Sequence, residues 1–165
     1  MQIESRNPVV IVGGGFGGLA AARSLDQADI EVILIDKVNH HLFQPLLYQV
    51  ATAALSPGDI AWPLRTLLRS QKNVRVMLAE VQKIDRAARC IELVQGEPVH
   101  YGSLILAPGS RHSYYGHSEW EADAPGLKTL PDALELRERM LMAFEEAEQS
   151  KEMSEVREQL TFAIV

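Results

Sequence analysis

Cysteine, aromatic residues and positive charge are all scarce in this chain of 165 residues. Its single cysteine, Cys90, can form neither an intrachain disulfide nor a Cys-x-x-Cys metal or redox pair, which excludes a disulfide-stapled secreted scaffold. With 16 Lys and Arg against 22 Asp and Glu, the net charge is −6, so nucleic acid is not an expected partner. The 47% of hydrophobic residues are still enough for a substantial core.

Long apolar runs are also missing. The sequence does not open with the basic and apolar regions of a signal peptide, and none is expected. Residues 38–58 contain no Lys, Arg, Asp or Glu, but histidine, glutamine and proline side chains interrupt them, which argues against a membrane span. We interpret this uncharged stretch as a buried loop and helix that serves either as core or as the wall of a ligand site.

The first 37 residues predict a strand, a turn, a helix and a second strand. Pro8–Val12 and Ile30–Ile35 are short apolar runs rich in β-branched residues, typical of parallel strands buried on both faces. Leu19–Leu25 predicts the connecting helix and therefore a right-handed crossover.

Three strand-like segments follow one another after residue 72, over residues 73–85, 90–94 and 99–106. They predict an added antiparallel layer, in which Cys90 is a small buried hydrophobe. The expected fold class is therefore α/β, a Rossmann-like parallel sheet with helices plus a small antiparallel layer.

The last 40 residues predict a helix and one more strand. Thr129 and Asp132 form a helix-start pattern, and Leu160–Val165 is a new apolar run. We expect residues 1–130 to be a nucleotide-binding domain and residues 131–165 to be a connecting helix and the first strand of a second one. On this interpretation the chain is the N-terminal part of a longer protein.

The sequence Gly13-Gly14-Gly15-Phe16-Gly17-Gly18 fits the pattern G-x-G-x-x-G between a strand and a helix. In this pattern Gly13 permits a tight turn, Gly15 lets the backbone approach a diphosphate, and Gly18 allows close helix–sheet packing. The helix start favours negative phosphates through its N–H groups and its dipole. The motif predicts a dinucleotide site.

Asp36, at the end of the second strand, is placed to accept hydrogen bonds from the ribose hydroxyls. A carboxylate there repels a 2′-phosphate, which disfavours NADP. The glycine loop contacts only the adenosine diphosphate half that FAD and NAD share, so it leaves the choice between them open.

Further motifs give the chain a family resemblance. With the glycine loop, residues 41–51 (HLFQPLLYQVA), 59–65 (DIAWPLR), 104–110 (LILAPGS) and 124–129 (APGLKT) resemble the type II NADH dehydrogenases, single-subunit NADH:quinone oxidoreductases of the pyridine nucleotide-disulphide oxidoreductase superfamily. The resemblance covers residues 8–165.

The resemblance implies that the first glycine loop holds FAD. By position, Gly13 to Gly17 would contact the diphosphate, and Asp36 and Lys37 the adenosine ribose and its surroundings. Val81, expected at the end of the strand from Asn73, would offer its backbone to the adenine edge. Ala107 and Gly109 belong to Ala107-Pro108-Gly109, which stands where the superfamily usually has Ala-Thr-Gly beside the flavin. The uncharged loop would lie along the flavin ring, with His40 and His41 either as ligand contacts or as packing residues.

The family's reaction passes a hydride from NADH to FAD and two electrons on to a membrane quinone. The resemblance implies NADH and quinone as partners of the full-length enzyme, membrane contact through a missing C-terminal part, a possible homodimer, and a cytoplasmic location on the inner face of the membrane. The NADH loop and the quinone site would lie beyond Val165, so this chain alone is expected to be inactive, and no catalytic residue and no metal site are predicted.

Three alternatives remain. A sulfide:quinone oxidoreductase would need cysteines beside the flavin, which a longer protein could supply. The chain could also be a stand-alone, non-catalytic nucleotide-binding module, or an NAD-linked dehydrogenase that uses this loop for its nicotinamide cofactor. Disulfide reductases are excluded, because no cysteine pair follows the second strand.

Overall fold

The structure, a computed structural model, describes residues 7–164. Within them the strands are β1 (Val9–Val12), β2 (Val32–Asp36), β3 (His40–Leu42), β4 (Ala61–Pro63), β5 (Val74–Leu78), β6 (Val81–Asp85), β7 (Cys90–Leu93), β8 (Val99–His100) and β9 (Ser103–Leu106). The helices are α1 (Phe16–Ser24), α2 (Leu47–Ala51), α3 (Pro57–Ile60), α4 (Leu64–Leu67), α5 (Leu130–Gln149) and α6 (Met153–Gln159), with 3₁₀ turns at Gln44–Leu46 and Ser118–Ala122. Two compact units divide the described chain, the first made of residues 7–42 and 61–110 and the second of residues 43–60 and 111–164.

A four-stranded parallel sheet in the order β5-β2-β1-β9 forms the centre of the first unit. Its two middle strands are the apolar runs predicted from the sequence, and each has neighbours on both sides. Because both faces of a parallel sheet are covered, side chains on both faces are fully buried, as Ile11 and Val10 are. The predicted strand, helix and parallel strand at the start of the chain are confirmed.

The alternation of side chains along these strands builds a core on each face of the sheet. On one face, Ile11 and Leu34 pack with Leu19 and Ala22 of α1 and with Leu64 of α4. On the other face, Val10, Ile33 and Ile35 form a second cluster with Ile91 of β7 and with Tyr101.

The second cluster is covered by an antiparallel sheet in the order β6-β7-β8. This sheet is the added layer predicted from the sequence, and the α/β fold class is confirmed. Cys90 lies in β7 and is buried, also as predicted.

Two of the predicted strands are each divided between the two sheets. Residues 73–85 form β5 of the parallel sheet and β6 of the antiparallel sheet, and residues 99–106 form β8 and β9 in the same way. A chain that leaves one sheet for another must turn a corner, and at the second corner Gly102 donates its N–H to the carbonyl of Pro8 at 2.9 Å. Apolar alternation continues through both corners, so the sequence pattern does not reveal them.

The helical spacing of Ile60, Leu64, Leu67 and Leu68 does not produce one helix. The chain forms α3, then β4, then α4, because β4 pairs with β3 as an antiparallel ribbon. Pro63, at the end of β4, lacks the N–H that a continuous helix needs.

The second unit is helical. Leu47, Val50 and Ala51 of α2 are buried where α2 packs on α5, and Gln44 Nε2 donates to the Lys128 carbonyl at 2.8 Å. The helix start predicted at Thr129 is confirmed by a capping box, in which the Thr129 side chain accepts from the Asp132 N–H and the Asp132 carboxylate accepts from the Thr129 N–H.

The strand predicted for Leu160–Val165 is not formed over residues 160–164, and Val165 lies outside the described residues. Leu160 closes the end of α6, and Ile164 is 99% exposed. The physical reason is the lack of a pairing partner, since the described part of the second unit contains no strand. No helix in residues 7–164 is both long and apolar enough to cross a bilayer.

Candidate functional site

The glycine loop lies between β1 and α1 and is shaped by close backbone contacts. Gly13 has a φ of +103°, a conformation that L side chains rarely adopt, and a side chain there would overlap the carbonyl of Ala107. A side chain at Gly18 would overlap the carbonyl of Gly13. The loop therefore places the start of α1 directly against the end of β1.

The start of α1 has no side-chain cap. Gly15 occupies the cap position, and no acidic residue lies in the first turn. Outside residues 14–16, no heavy atom lies within 4 Å of the position that a Cβ on Gly15 would take. The N–H groups of a first helical turn lack acceptors within the helix and carry the positive end of its dipole. An anion can therefore approach the backbone at Gly15.

Gly14, in the middle of the loop, is held by two side chains from later strands. Its N–H donates to Asp36 Oδ2 at the end of β2, and its carbonyl lies 3.1 Å from His41 Nδ1 of β3. Asp36 Oδ1 accepts a second hydrogen bond from the Val38 N–H at 2.8 Å. Asp36 thus lies beside the loop, and it fixes the turn that follows β2.

Ala107, which follows β9, packs against the glycine loop, and Gly109 lies two residues further along the chain. Ala107 donates its N–H to the Val12 carbonyl at 2.8 Å, and its Cβ lies 3.6 Å from the position of a Cβ on Gly17. Gly109 has a φ of +76° with open space around it. The pairing of Val12 with Leu106, 94 positions later in the chain, therefore brings Ala107 against the glycine loop. Gly109 follows two residues later and makes no contact with the loop among those described.

Lys37 and Val81 occupy different surroundings. Lys37 is exposed directly after β2. Val81 does not end the strand that begins at Val74, because β5 stops at Leu78; it opens β6 and packs in part against the second core cluster. Ala79, between the two strands, donates its N–H to the Asp36 carbonyl at 2.9 Å, which ties this corner to the end of β2.

His41 and Arg65 support the site in ways that the sequence did not reveal. The His41 ring is only 9% exposed and lies edge-on to Phe16, with 4.9 Å between the ring centroids. Arg65 donates to the Asn39 side chain at 2.9 Å and to the Val76 carbonyl at 3.0 Å, which joins the segment after Asp36 to β5. Both contacts join residues far apart in the chain, so no local pattern marks them.

Taken together, the loop suits a dinucleotide diphosphate. It presents an uncapped helix start, open space at Gly15 and a carboxylate at the end of β2, in the arrangement that Rossmann-type sites use. These groups can bind and orient a ligand, and none of them is assigned a catalytic step.

Comparison with known proteins agrees with this geometry. The sequence profile of the pyridine nucleotide-disulphide oxidoreductase family matches residues 7–149. The type II NADH:quinone oxidoreductases NdhA and Ndh of Mycobacterium tuberculosis are 52% and 50% identical over 99% of this chain, which covers 35% and 36% of their own lengths. The chain therefore spans about a third of the length of these curated relatives.

Solved structures show the same fold. The NDH2 of Plasmodium falciparum in complex with NADH matches with a TM-score of 0.82 at 22% identity, over 92% of this chain and 32% of that one. The sulfide:quinone oxidoreductase of Aquifex aeolicus matches with a TM-score of 0.76 at 26% identity, over 84% of this chain and 32% of that one.

The resemblance to type II NADH dehydrogenases that the motifs predicted is confirmed by the two mycobacterial relatives. The profile match covers most of the chain and includes the glycine loop, Asp36 and all three sheets of the described residues. The chain belongs to the pyridine nucleotide-disulphide oxidoreductase family.

Proposed function

We propose that this chain is the FAD-binding part of a flavoprotein that passes electrons from NADH through FAD to a membrane quinone. The observation that carries the proposal is the glycine loop, which is shaped for a diphosphate in a chain half identical to type II NADH:quinone oxidoreductases. When bound, FAD supplies the exchange of electrons between a nicotinamide and a quinone.

In this proposal the residues bind and orient the cofactor. The glycine loop and the start of α1, from Gly13 to Gly18, hold the diphosphate, since the backbone is accessible at Gly15. Asp36 keeps the loop in place through the Gly14 N–H and accepts from the ribose hydroxyls with the remaining lone pairs of its two oxygens. Its negative charge disfavours a 2′-phosphate at the same position.

The remaining predicted contacts have supporting roles. Lys37 lies beside the ribose, and the backbone of Val81 lies at the adenine edge. Ala107 and Gly109 approach the flavin side, which is supported for Ala107 by its contacts with the glycine loop.

The domain assignment belongs to the same proposal. Residues 1–130 make up the FAD-binding domain, and residues 131–165 lead into an NADH-binding domain. Because the chain spans about a third of the length of its curated relatives, we expect that the isolated chain binds FAD but does not oxidise NADH. In the full-length enzyme we expect contact with the inner face of the cytoplasmic membrane, and a homodimer is the expected assembly.

A titration of the purified protein tests the cofactor assignment. FAD binding is followed by flavin fluorescence and NAD binding by calorimetry. Saturable FAD binding without matching NAD binding supports the proposal. Tight NAD binding without FAD binding would instead identify a nicotinamide-dependent dehydrogenase, and binding of neither would contradict a cofactor role for this loop.

A sulfide:quinone oxidoreductase is the second candidate, favoured by the Aquifex aeolicus structure at 26% identity. Against it, the one cysteine of this chain is buried in β7, whereas the mycobacterial NADH:quinone oxidoreductases share half of its residues. The protein expressed from its complete native reading frame distinguishes the two: reduction of a quinone by NADH supports the first candidate, and reduction by sulfide alone supports the second.

A further inference from the structure

Both peptide groups that flank the Cα of Gly14 are held by side chains. The Gly14 N–H donates to Asp36 Oδ2, and the Gly14 carbonyl lies 3.1 Å from His41 Nδ1. A carbonyl oxygen can only accept, so His41 must carry a proton on Nδ1. The Rossmann pattern accounts for Asp36, but it contains no residue in the role of His41.

The hydrogen bond from His41 determines the direction of the next N–H in the loop. A peptide group is planar and trans, so its N–H points away from its C=O. When His41 Nδ1 fixes the carbonyl of Gly14, it also fixes the N–H of Gly15, which points away from His41. Gly15 is the cap residue of α1 and has open space at its Cβ position, so this N–H belongs to the backbone that an anion can reach.

The His41 ring is itself held in one place. Its strand, β3, pairs with β4 in a register that puts His41 opposite Trp62. The ring lies edge-on to Phe16 with an interplanar angle of 87°, and it is 9% exposed. A buried side chain that packs against a neighbouring ring and lies in a paired strand can hold its donor in a fixed position.

We infer that His41 is a positioning residue of the glycine loop, which orients the Gly14–Gly15 peptide toward the diphosphate of the bound dinucleotide. The inference rests on the proposed function, since it assigns His41 a role in the same site. It also resolves the alternatives left by the sequence: His41 acts on the ligand through the backbone and not by direct contact.

Three substitutions separate the hydrogen bond from the packing. His41→Leu and His41→Phe remove the donor, and the phenyl ring keeps a planar group against Phe16. His41→Asn places an amide nitrogen near the position of Nδ1 and restores a donor. His100→Leu makes the same change at an exposed histidine of β8 and is the matched control.

Affinity for FAD, measured by fluorescence titration of the purified protein, is the first readout. Loss of one buried hydrogen bond is expected to raise the Kd about tenfold in His41→Leu and His41→Phe, with His41→Asn within about threefold of wild type. His100→Leu is expected to bind as wild type does. Equal affinities in wild type and in both donor-free variants would overturn the inference and leave the proposed function standing.

The second readout needs no ligand. Nitrogen-15 NMR of the His41 ring is expected to show the proton on Nδ1, and the Gly15 amide resonance is expected to shift in His41→Phe and return in His41→Asn. A neutral ring with its proton on Nε2 would overturn the inference. If wild type binds neither FAD nor NAD, the proposed function itself fails, and a positioning role toward a dinucleotide fails with it.

Discussion

Gly15 and Gly18 belong to one motif but serve different physical purposes. Outside residues 14–16, no heavy atom lies within 4 Å of a Cβ placed on Gly15, whereas a Cβ on Gly18 would overlap the Gly13 carbonyl. In the proposed function the first glycine keeps space open for the diphosphate, whereas the second lets α1 approach β1. This difference separates binding from stability within a single loop.

Gly15→Ala is expected to lower FAD affinity about tenfold or more without lowering the thermal unfolding temperature, because the added methyl enters only the ligand's space. Gly18→Ala is expected to destabilise the fold by about 1–3 kcal/mol, the usual result of overpacking. Fluorescence titration and thermal unfolding followed by circular dichroism measure the two effects. A large stability loss in Gly15→Ala would show that the loop is closed at this position.

Asp36→Ala is expected to weaken FAD binding by about tenfold to hundredfold, since it removes a charged acceptor and releases the N–H groups of Gly14 and Val38. The measurement is the same titration, with the exposed Asp26→Ala as the matched control for loss of one carboxylate. Unchanged FAD affinity in Asp36→Ala would show that Asp36 does not contact the ribose.

At the scale of single residues, the sequence predicted only some of the contacts within the site. The spacing of Gly13, Gly18 and Asp36 is local to one strand–helix–strand unit, so a pattern can identify it. The hydrogen bond from His41 to Gly14 depends instead on the ribbon formed by β3 and β4, which no local pattern indicated. Such long-range contacts are visible only in the folded chain.

Among the elements, α5 has a well-defined start. Burial alone would raise the pKa of Asp132, but hydrogen bonds from the side chain and N–H of Thr129 and from the N–H of Lys128, with the charge of His112, hold that pKa below its usual range. A carboxylate whose pKa is lower in the folded chain stabilises the fold above the unfolded pKa and loses that effect as the pH falls through the folded one.

Thr129→Ala is therefore expected to lower the free energy of unfolding by about 1 kcal/mol at pH 7, as loss of an N-cap does. As the pH falls through the lowered pKa of Asp132, its carboxylate becomes protonated, and the difference between variant and wild type is expected to shrink. Urea unfolding at pH 7 and pH 3 measures both values, with Ser150→Ala at the other end of α5 as a control. A difference that grows toward low pH would contradict the assigned capping box.

The sequence predicted the elements themselves better than their ends. β1, β2 and the start of α5 carry strong local signals, an apolar run or a cap. The corners at Ala79 and Gly102 do not, because apolar alternation continues while the chain changes sheets. The strand predicted at Leu160 has the right composition but no partner among the described residues of its unit. A strand forms only when it pairs with another strand, and the sequence of a single segment does not specify its partner.

For the molecule as a whole, the net charge predicts how the chain interacts with lipid surfaces. Because its net charge is −6 at pH 7, this chain is expected to be repelled by anionic lipid surfaces. Sedimentation with vesicles of phosphatidylglycerol should leave the purified chain in the supernatant, as should neutral phosphatidylcholine vesicles used as the control. Binding to the anionic vesicles alone would reveal a basic surface that the net charge hides.

The strand order has a consequence for folding during synthesis. β1 pairs with β2 soon after both have been made, but its other edge waits for β9, and Val12 pairs with Leu106. At about 5–20 residues per second, the ribosome releases Leu106 roughly 5 to 20 s after Val12. Through that interval the nascent chain carries a bare strand edge, a surface that chaperones bind and that other chains can pair with. Since Ala107 packs against Gly13, the glycine loop reaches its final packing only after β9 has joined the sheet, and in the proposed function tight cofactor binding is expected only after that step.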